Sequence, residues 1–361
     1  MALKFNLKSI QVNNNNNNNN NSKHLDKFIT QKFVKMKDIE AILHNPSKDV
    51  GSIDLDKYQM YVLNNEKSNM IKKVVEFTPA LYKIFDELLV NACDQYTRMK
   101  ILLDKINKIK TGVLPHDEKI DMNYLYHPVR NIHIDVNREN GTISVKNDGE
   151  GIDVIIHDIE KMYVPQLIFG TLLTSSNYNK AEERVVGGKH GLGAKLCNIF
   201  STEFTIETVD AYRELYYSQK FLNNMSIAED PIIKTSKKQP YTQITFKPEL
   251  WRFNCTSITE DMELLMERRA YDIAGTIGSN VNVFFNGKKI GIKSFERYVD
   301  LFIGTKSEHK RLYEKCNDDW EVVACSSPDG IFENVSFVNN ICTYKGGKHV
   351  DHVRDSITKK L

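Results

Sequence analysis

The clearest helical pattern in the chain lies between residues 77 and 94. Apolar side chains recur there every three or four positions, which predicts one buried helical face. They are Leu81, Ile84, Phe85, Leu88 and Ala92. Thr78 and Pro79 precede the pattern and predict the N-cap and first residue of the helix.

A polar stripe runs beside this apolar face. Glu87, Asn91 and Asp94 are spaced so that their side chains share one side of the helix. A carboxylate can activate a water, and an amide oxygen one turn later can bind a hard cation. A solvated helix surface gives the same pattern, so the stripe alone leaves both interpretations open. For Asp94, a supporting role and plain helix surface are both compatible with the spacing.

Alternating apolar and polar residues predict strands on both sides of this helix. The predicted strands are 58–62, 72–77, 132–135, 142–145, 204–209, 213–221 and 242–246, with a hairpin turn between 135 and 142. After about residue 255 the order changes to helix 261–275, strand 281–285, helix 295–302, strands 320–324 and 335–338, and a final helix from residue 348. We therefore predict a domain boundary near residue 255.

Composition narrows the class of protein. A net charge of +2 gives no basic field for nucleic acid, and the 361 residues suggest two domains. The six cysteines have no metal-binding spacing, so we expect reduced thiols. No apolar run is long enough for a membrane span, and we expect no membrane contact. The asparagine tract Asn13–Asn21 predicts a disordered tail over residues 1–24.

Two glycine-rich stretches add candidate chemistry. In Asn147-Asp148-Gly149-Glu150-Gly151, the glycines let backbone approach a flat ligand, and Asp148 offers an acceptor for an exocyclic amine. A plain turn is the alternative. In residues 187–195, four glycines free backbone amides to wrap an anion at a helix start, where Lys195 adds a positive charge. The pattern lacks the Walker Gly-Lys-Ser/Thr.

The order of these motifs resembles the GHKL ATPases: Glu87-x-x-x-Asn91, Asp148-Gly-Glu-Gly151, Gly188-x-x-Gly191-x-Gly193, then Thr242 in a late strand. Longer strings resemble the N-terminal ATPase region of eukaryotic type II DNA topoisomerases. These strings are residues 84–92, 161–165, 172–178, 191–201, 268–275 and 336–350, and the likeness extends from about residue 25 to 361.

The resemblance implies an α+β fold. Residues 25–255 would form a GHKL (Bergerat) α/β sandwich with a mixed or antiparallel sheet, carrying an insertion at about 99–127 that is longer than the family usually has. Residues 256–361 would form the N-terminal part of an α/β transducer domain. The chain would then stop before the transducer's Gln-Thr-Lys switch loop, whose lysine reaches the γ-phosphate in the family.

The resemblance also implies ATP and Mg²⁺ as cofactors. Glu87 would be the general base, and Asn91 would hold Mg²⁺. Asp148, with Asn147 and Thr242, would contact adenine, residues 175–177 would border the ribose and phosphates, and the loop 188–195 would cradle the triphosphate. The implied ATP-binding residues are Asn91, Asp94, Asn147, Asp148, Gly151, Ser175, Ser176, Asn177, Gly188, Lys189, His190, Gly191, Leu192, Gly193, Ala194, Lys195 and Thr242.

For the whole protein, the resemblance implies a nuclear homodimer that closes through its N-terminal gate when ATP binds. Closure would drive one DNA duplex through another, with double-stranded DNA contacted mainly outside these residues. Alternatives are a nucleotide-gated dimerisation module with little hydrolysis, or another GHKL ATPase such as a chaperone or mismatch-repair protein. Glu87 favours hydrolysis, because a pure binding module needs no base, and the string 336–350 argues against the chaperone and repair classes.

Overall fold

The computed structural model describes residues 38–172, 191–317, 320–327 and 330–360. The chain divides after His44 into two compact units. In the first unit the structure describes helix α1 (Asp38–His44), none of whose residues is buried. The predicted disordered tail, residues 1–24, lies outside the described residues and stays a prediction.

The second unit contains the remaining helices and the strands of the described chain. The helices are α2 (Pro79–Lys110), α3 (Val164–Gly170), α4 (Gly193–Ile199), α5 (Glu260–Thr276), α6 (Phe295–Ile303) and α7 (Lys348–Thr358). The strands are β1 (Asp56–Leu63), β2 (Met70–Phe77), β3 (Asn131–Asn137), β4 (Thr142–Asp148), β5 (Ser201–Asp210), β6 (Leu215–Leu222), β7 (Ile227–Ala228), β8 (Ile232–Thr235), β9 (Tyr241–Pro248), β10 (Asn282–Phe285), β11 (Lys288–Lys289), β12 (Arg311–Lys315), β13 (Glu321–Cys325), β14 (Phe337–Val338) and β15 (Ile341–Cys342).

The described strands form one large mixed sheet and three hairpins. The order in the nine-stranded sheet is β11-β10-β3-β4-β9-β5-β6-β7, and β8 also pairs with β6. β10 runs parallel to β3. The other main pairs are antiparallel: β3–β4, β4–β9, β9–β5 and β5–β6. The hairpins are β1–β2, β12–β13 and β14–β15. The predicted α+β fold with a mixed sheet is confirmed.

One face of the large sheet is covered by helices. Every second residue of β3 and β4 is buried, and so is every second residue of β9 from Ile244 onward; Ile134 and Val145 are examples from β3 and β4. Helix α2 contacts β4, and α4 contacts β5, β9 and α2. The period-two pattern therefore predicts correctly that the sheet has one apolar face, which we call the covered face.

Helix α2 is 32 residues long, and its predicted apolar face is buried. Thr78 occupies the predicted N-cap position, but its side chain does not cap the helix. Its hydroxyl instead donates to the carbonyl oxygen of Phe253 at 2.9 Å. The helix continues to Lys110, so the first part of the predicted insertion 99–127 is the end of α2, and an irregular segment, residues 111–130, follows it.

The large sheet extends across the predicted domain boundary, because β10 pairs with β3. The division into residues 25–255 and 256–361 stays a prediction. None of the described helices is both long and apolar enough to cross a membrane. All six cysteines are free, as expected for reduced thiols.

Buried charged side chains join α2, α5 and the β14–β15 turn. Arg269 is fully buried, and its Nε donates to Asp86 Oδ1 at 2.7 Å. Its Nη2 donates to the carbonyl oxygen of Asn340 at 2.5 Å. Asp272, 1% exposed, accepts a hydrogen bond of 2.6 Å from the Tyr298 hydroxyl. This buried charge cluster connects segments that are far apart in sequence.

Replacing Arg269 with methionine is expected to lower the free energy of unfolding by about 3 to 5 kcal/mol, because Asp86 would stay buried without its cation. Urea unfolding followed by circular dichroism measures the change. Arg297→Met is the matched control: its pair with Asp300 lies at the surface, so the loss should be about 0.5 kcal/mol or less.

Adding Asp86→Leu to Arg269→Met should recover much of this loss, since an apolar pair leaves no uncompensated charge. A double variant as unstable as Arg269→Met alone would contradict the assignment of the loss to the buried carboxylate.

Candidate functional site

Glu87 lies directly against the start of α4. A Cβ atom built on Gly193 would be 2.0 Å from Glu87 Oε2, so only glycine allows this approach. Lys83, one turn earlier on α2, forms an ion pair with Glu87 Oε1. The structure thus brings together two motifs that are far apart in sequence, and it holds both carboxylate oxygens in defined surroundings.

The polar stripe of α2 divides into exposed and buried members. Asn91 is exposed one turn after Glu87, so its amide oxygen is accessible to a ligand. Asp94 is only 2% exposed, so its interpretation as plain helix surface is wrong. Among the described residues, no group of three or more His, Cys, Asp or Glu side chains could hold a metal ion. One exposed amide oxygen is compatible with Mg²⁺, which usually keeps several waters and takes few protein ligands.

Three polar side chains form a row across the covered face. Asn147 on β4 pairs in register with Thr242 on β9, and Thr242 pairs with Thr208 on β5. The hydroxyl oxygens of Thr208 and Thr242 are 3.3 Å apart, and Thr208 Oγ1 accepts the N–H of Ile152 at 2.9 Å. Thr208 was not predicted from the sequence. The sequence signal that could have identified it is a hydroxyl residue at a position of β5 where the alternating pattern places buried side chains.

Asp148 lies on the opposite face of the sheet from Asn147, because side chains alternate along β4. Its Oδ1 accepts the N–H groups of Arg130 and Asn131 at 2.6 and 2.8 Å, and its Oδ2 accepts Asn131 Nδ2 at 2.6 Å. Asn147 Nδ2 donates to the Asp148 carbonyl oxygen at 2.8 Å, and no described residue donates to Asn147 Oδ1. This geometry favours Asn147 over Asp148 as the side chain that faces a ligand.

Gly151 brings the following loop against β5. A Cβ atom at this position would be 1.9 Å from the carbonyl oxygen of Val209 and 2.9 Å from Thr208 Oγ1. A glycine is therefore required here for close backbone approach, as the sequence predicted, although the contact is with the protein's own strand.

Lys195 is folded back onto the start of its own helix. Its side chain is 2% exposed, and Nζ donates to the carbonyl oxygen of Gly191, which has a φ of +63°. Burial lowers the pKa of Lys195 to about 8. Leu192, Gly193 and Ala194 lie between these two residues. The predicted contacts of Ser175, Ser176, Asn177, Gly188, Lys189 and His190 lie outside the described residues.

No protein-family model matches the chain. Among curated proteins, the chain is 44% identical to DNA topoisomerase 2 of Drosophila melanogaster over 338 residues, which are 92% of this chain and 21% of that protein. It is 40% identical to human DNA topoisomerase 2-alpha over 359 residues, which are 98% of this chain and 21% of that protein. The chain thus spans about a fifth of the length of the curated relatives it matches.

Solved structures give a closer match in extent. The chain is similar to the ATPase region of Saccharomyces cerevisiae topoisomerase II with a TM-score of 0.78 and 41% identity, covering 92% of this chain and 80% of that one. It is similar to the ATPase and transducer domains of Balamuthia mandrillaris DNA topoisomerase II with a TM-score of 0.78 and 38% identity, covering 91% and 77%.

Lys195→Met is expected to stabilise the protein without nucleotide at pH 7, because it removes a buried charge. The lysine pKa is about 8 in the folded chain and 10.5 when unperturbed, so below pH 8 both states are protonated and the full cost of burial is present. Between pH 8 and 10.5 the folded wild type loses its proton first, so its unfolding free energy rises with pH.

The stability difference between variant and wild type should therefore shrink from pH 8 to 10.5 in urea unfolding. Lys247→Met, at an exposed position, should show no such trend. A constant difference for Lys195→Met would contradict burial of the ammonium group.

Proposed function

This chain belongs to the family of the topoisomerase II ATPase regions, and from that premise we propose that it binds and hydrolyses ATP. The observation that carries the proposal is the contact between Glu87 and Gly193, which joins the candidate base to the start of the glycine-rich segment. A reacting phosphate bound beside α4 would lie next to the carboxylate of Glu87, which contacts the start of that helix.

We assign Glu87 as the general base. Its carboxylate takes a proton from the attacking water as the oxygen of that water bonds to the γ-phosphorus and the bond to the ADP leaving oxygen breaks. The Lys83 ion pair at Oε1 and Gly193 beside Oε2 restrict the rotation of the carboxylate. Such restriction is useful because a base must be held within hydrogen-bond reach of the proton it removes.

The adenine contact is assigned to Asn147 with Thr242, rather than to Asp148. Thr208 supports this pair, because its buried hydroxyl donates to the carbonyl oxygen of Tyr241 at 2.9 Å and accepts the N–H of Ile152. The carboxylate of Asp148 already accepts three hydrogen bonds on the other face of the sheet. Asn147 Oδ1 can accept from an exocyclic amine, and the Thr242 hydroxyl can act as a donor or an acceptor. This row faces the same side of the sheet as α2, which carries Glu87 and Asn91.

Mg²⁺ fits the donor set of this site. Asn91 would hold it through the amide oxygen, and a bound Mg²⁺ would neutralise charge on the phosphate oxygens. The residues of the chain then have separate tasks: Asn91 fixes the cation end of the nucleotide, and Glu87 holds the position of the attacking water. Lys195 completes the cradle only if its Nζ leaves the carbonyl oxygen of Gly191.

At the level of the whole protein, we propose the ATP-operated gate of a nuclear type II DNA topoisomerase. ATP binding would close a homodimer around a DNA duplex, and hydrolysis would reset it. The support is the similarity over nearly the whole chain to proteins named DNA topoisomerase 2. Double-stranded DNA is then the substrate of the complete protein, contacted mainly by regions outside these residues.

Glu87→Gln is expected to keep nucleotide affinity and lower turnover by about 10² to 10⁴, the usual contribution of a general base. Steady-state phosphate release and titration with a non-hydrolysable ATP analogue measure the two quantities. Glu76→Gln, whose partner is the exposed Lys57 on the β1–β2 hairpin, is the matched control and should change neither. Unchanged turnover in Glu87→Gln would exclude Glu87 as the base.

Asn91→Ala is expected to weaken analogue binding on the order of tenfold when Mg²⁺ is present, and not when Mg²⁺ is removed with EDTA. Asn107→Ala is the control, because Asn107 is also an exposed asparagine on α2 but lies far from Glu87 along the helix. Equal losses with and without Mg²⁺ would show that Asn91 acts on the nucleotide without a cation.

A further inference from the structure

The irregular segment that follows α2 packs on the glycine-containing loop that follows Asn147. We call residues 124–131 the brace and residues 148–152 the nucleotide loop. Glu150, in the middle of the nucleotide loop, has both carboxylate oxygens bonded to the brace. Its Oε1 accepts the N–H of His127 at 2.6 Å, and its Oε2 accepts the hydroxyl of Tyr124 at 3.0 Å. The N–H of Glu150 also donates to the carbonyl oxygen of His127 at 3.0 Å.

The first half of the nucleotide loop is held in the same way. The three hydrogen bonds to the Asp148 carboxylate all come from Arg130 and Asn131, at the end of the brace. Gly149 has a φ of +102°, and a Cβ atom there would be 2.7 Å from Val129 Cγ2. The brace therefore contacts three consecutive residues of the loop: Asp148, Gly149 and Glu150.

The rest of the protein holds the loop from other directions. Ile152 donates its N–H to Thr208 in the polar row, and Gly151 lies against the backbone of Val209. Gln95, on α2, donates to the carbonyl oxygen of Glu150 at 3.5 Å. The position of the loop relative to β5 and α2 thus depends on contacts from two sides, and the brace supplies one of them.

The position of the Tyr124 hydroxyl is itself fixed by aromatic packing. The Tyr124 ring lies 4.8 Å from the ring of Tyr126 and 5.1 Å from that of Tyr212, both in edge-to-face geometry. Arg213 stacks on Tyr212 and pairs with Asp210 and Asp153. The pKa of Glu150 is raised, mainly because its carboxylate is partly buried beside these aromatic rings.

We propose that Tyr124 and Glu150 are positioning residues for nucleotide binding. The brace holds the nucleotide loop against Thr208 and Val209, beside the row that contains Asn147, so affinity for ATP depends on a segment outside the ATP-binding residues themselves. This inference rests on the proposed function of the site. Tyr124 acts through Glu150 and the loop backbone, and it therefore affects binding of the nucleotide rather than the chemical step.

The test compares wild type with Tyr124→Phe, Glu150→Gln and the double variant. Tyr124→Phe keeps the ring packing and removes one hydrogen bond to a carboxylate. It is expected to raise the Kd of a non-hydrolysable ATP analogue about three- to tenfold. KM for ATP should rise with kcat within about twofold of wild type. Tyr124 and Glu150 act through one shared contact. The Kd of the double variant for the analogue should therefore be no higher than that of the single variant with the higher Kd.

Hydrogen exchange without nucleotide gives a second readout. The amides of residues 149–152 should exchange faster in Tyr124→Phe than in wild type, since the loop would open more often. Tyr126→Phe is the matched control, because its ring packs on Tyr124 and its hydroxyl makes no hydrogen bond to Glu150. It should resemble wild type in both measurements.

The outcomes separate this inference from the proposed function. If wild type binds the analogue and Tyr124→Phe matches it in Kd and exchange, the brace has no positioning role. The inference would also be overturned if the losses of analogue affinity in the two single variants added up in the double variant. The same holds if Tyr126→Phe lost as much affinity as Tyr124→Phe. If wild type fails to bind the analogue, the proposed function fails, and the exchange rates of the loop still decide whether the brace holds it.

Discussion

The buried guanidinium of Arg269 constrains three distant parts of the chain at once. It sits on α5, pairs with Asp86 on α2, and donates to the Asn340 carbonyl oxygen in the β14–β15 turn. A buried charge that loses its partners costs several kcal/mol, so α2 cannot rotate or slide while this pair is kept. Asp86 is followed directly by Glu87. The packing of the later part of the chain therefore also sets the direction of the candidate base.

The neighbours of Arg269 extend this constraint. Arg268 donates to the carbonyl oxygen of Tyr61 on β1, and Asp272 accepts from Tyr298 on α6. In the described part of the chain, Arg269 Nη1 and Arg268 Nε are buried without a hydrogen-bond partner. An incompletely satisfied ionic cluster adds little net stability, and in some proteins it serves to exclude alternative arrangements, because few of them satisfy it equally well. We infer that it selects one packing of α2 against α5.

Periodicity accounts for most of what could be predicted from the sequence. Apolar spacing located α2 and most of the longer strands, because burial of one face imposes a period of 3.6 or 2. It missed strands of two to five residues, which are too short to show a period: β7, β8, β11, β12 and β15. Residue chemistry was less reliable: a carboxylate is the stronger acceptor, which favoured Asp148, yet the pleat directs Asn147 to the covered face. The alternation of Ile143 and Val145 with polar residues already contained that signal. The contact of Tyr124 with Glu150 did not follow from any period, since it joins an irregular segment to a loop.

The pairing of β10 with β3 has a consequence for association between chains. Without β10, β3 would present an open row of backbone N–H and C=O groups, the usual template for an added strand from another molecule. In the described chain, β10 is followed at this edge by β11, only two residues long and made of Lys288 and Lys289. At the other end the outermost strands, β7 and β8, have two and four residues. Strands so short, with lysines at one edge, discourage edge-to-edge pairing of the described sheet with another sheet. Recognition between copies of this sheet would then fall to side-chain surfaces.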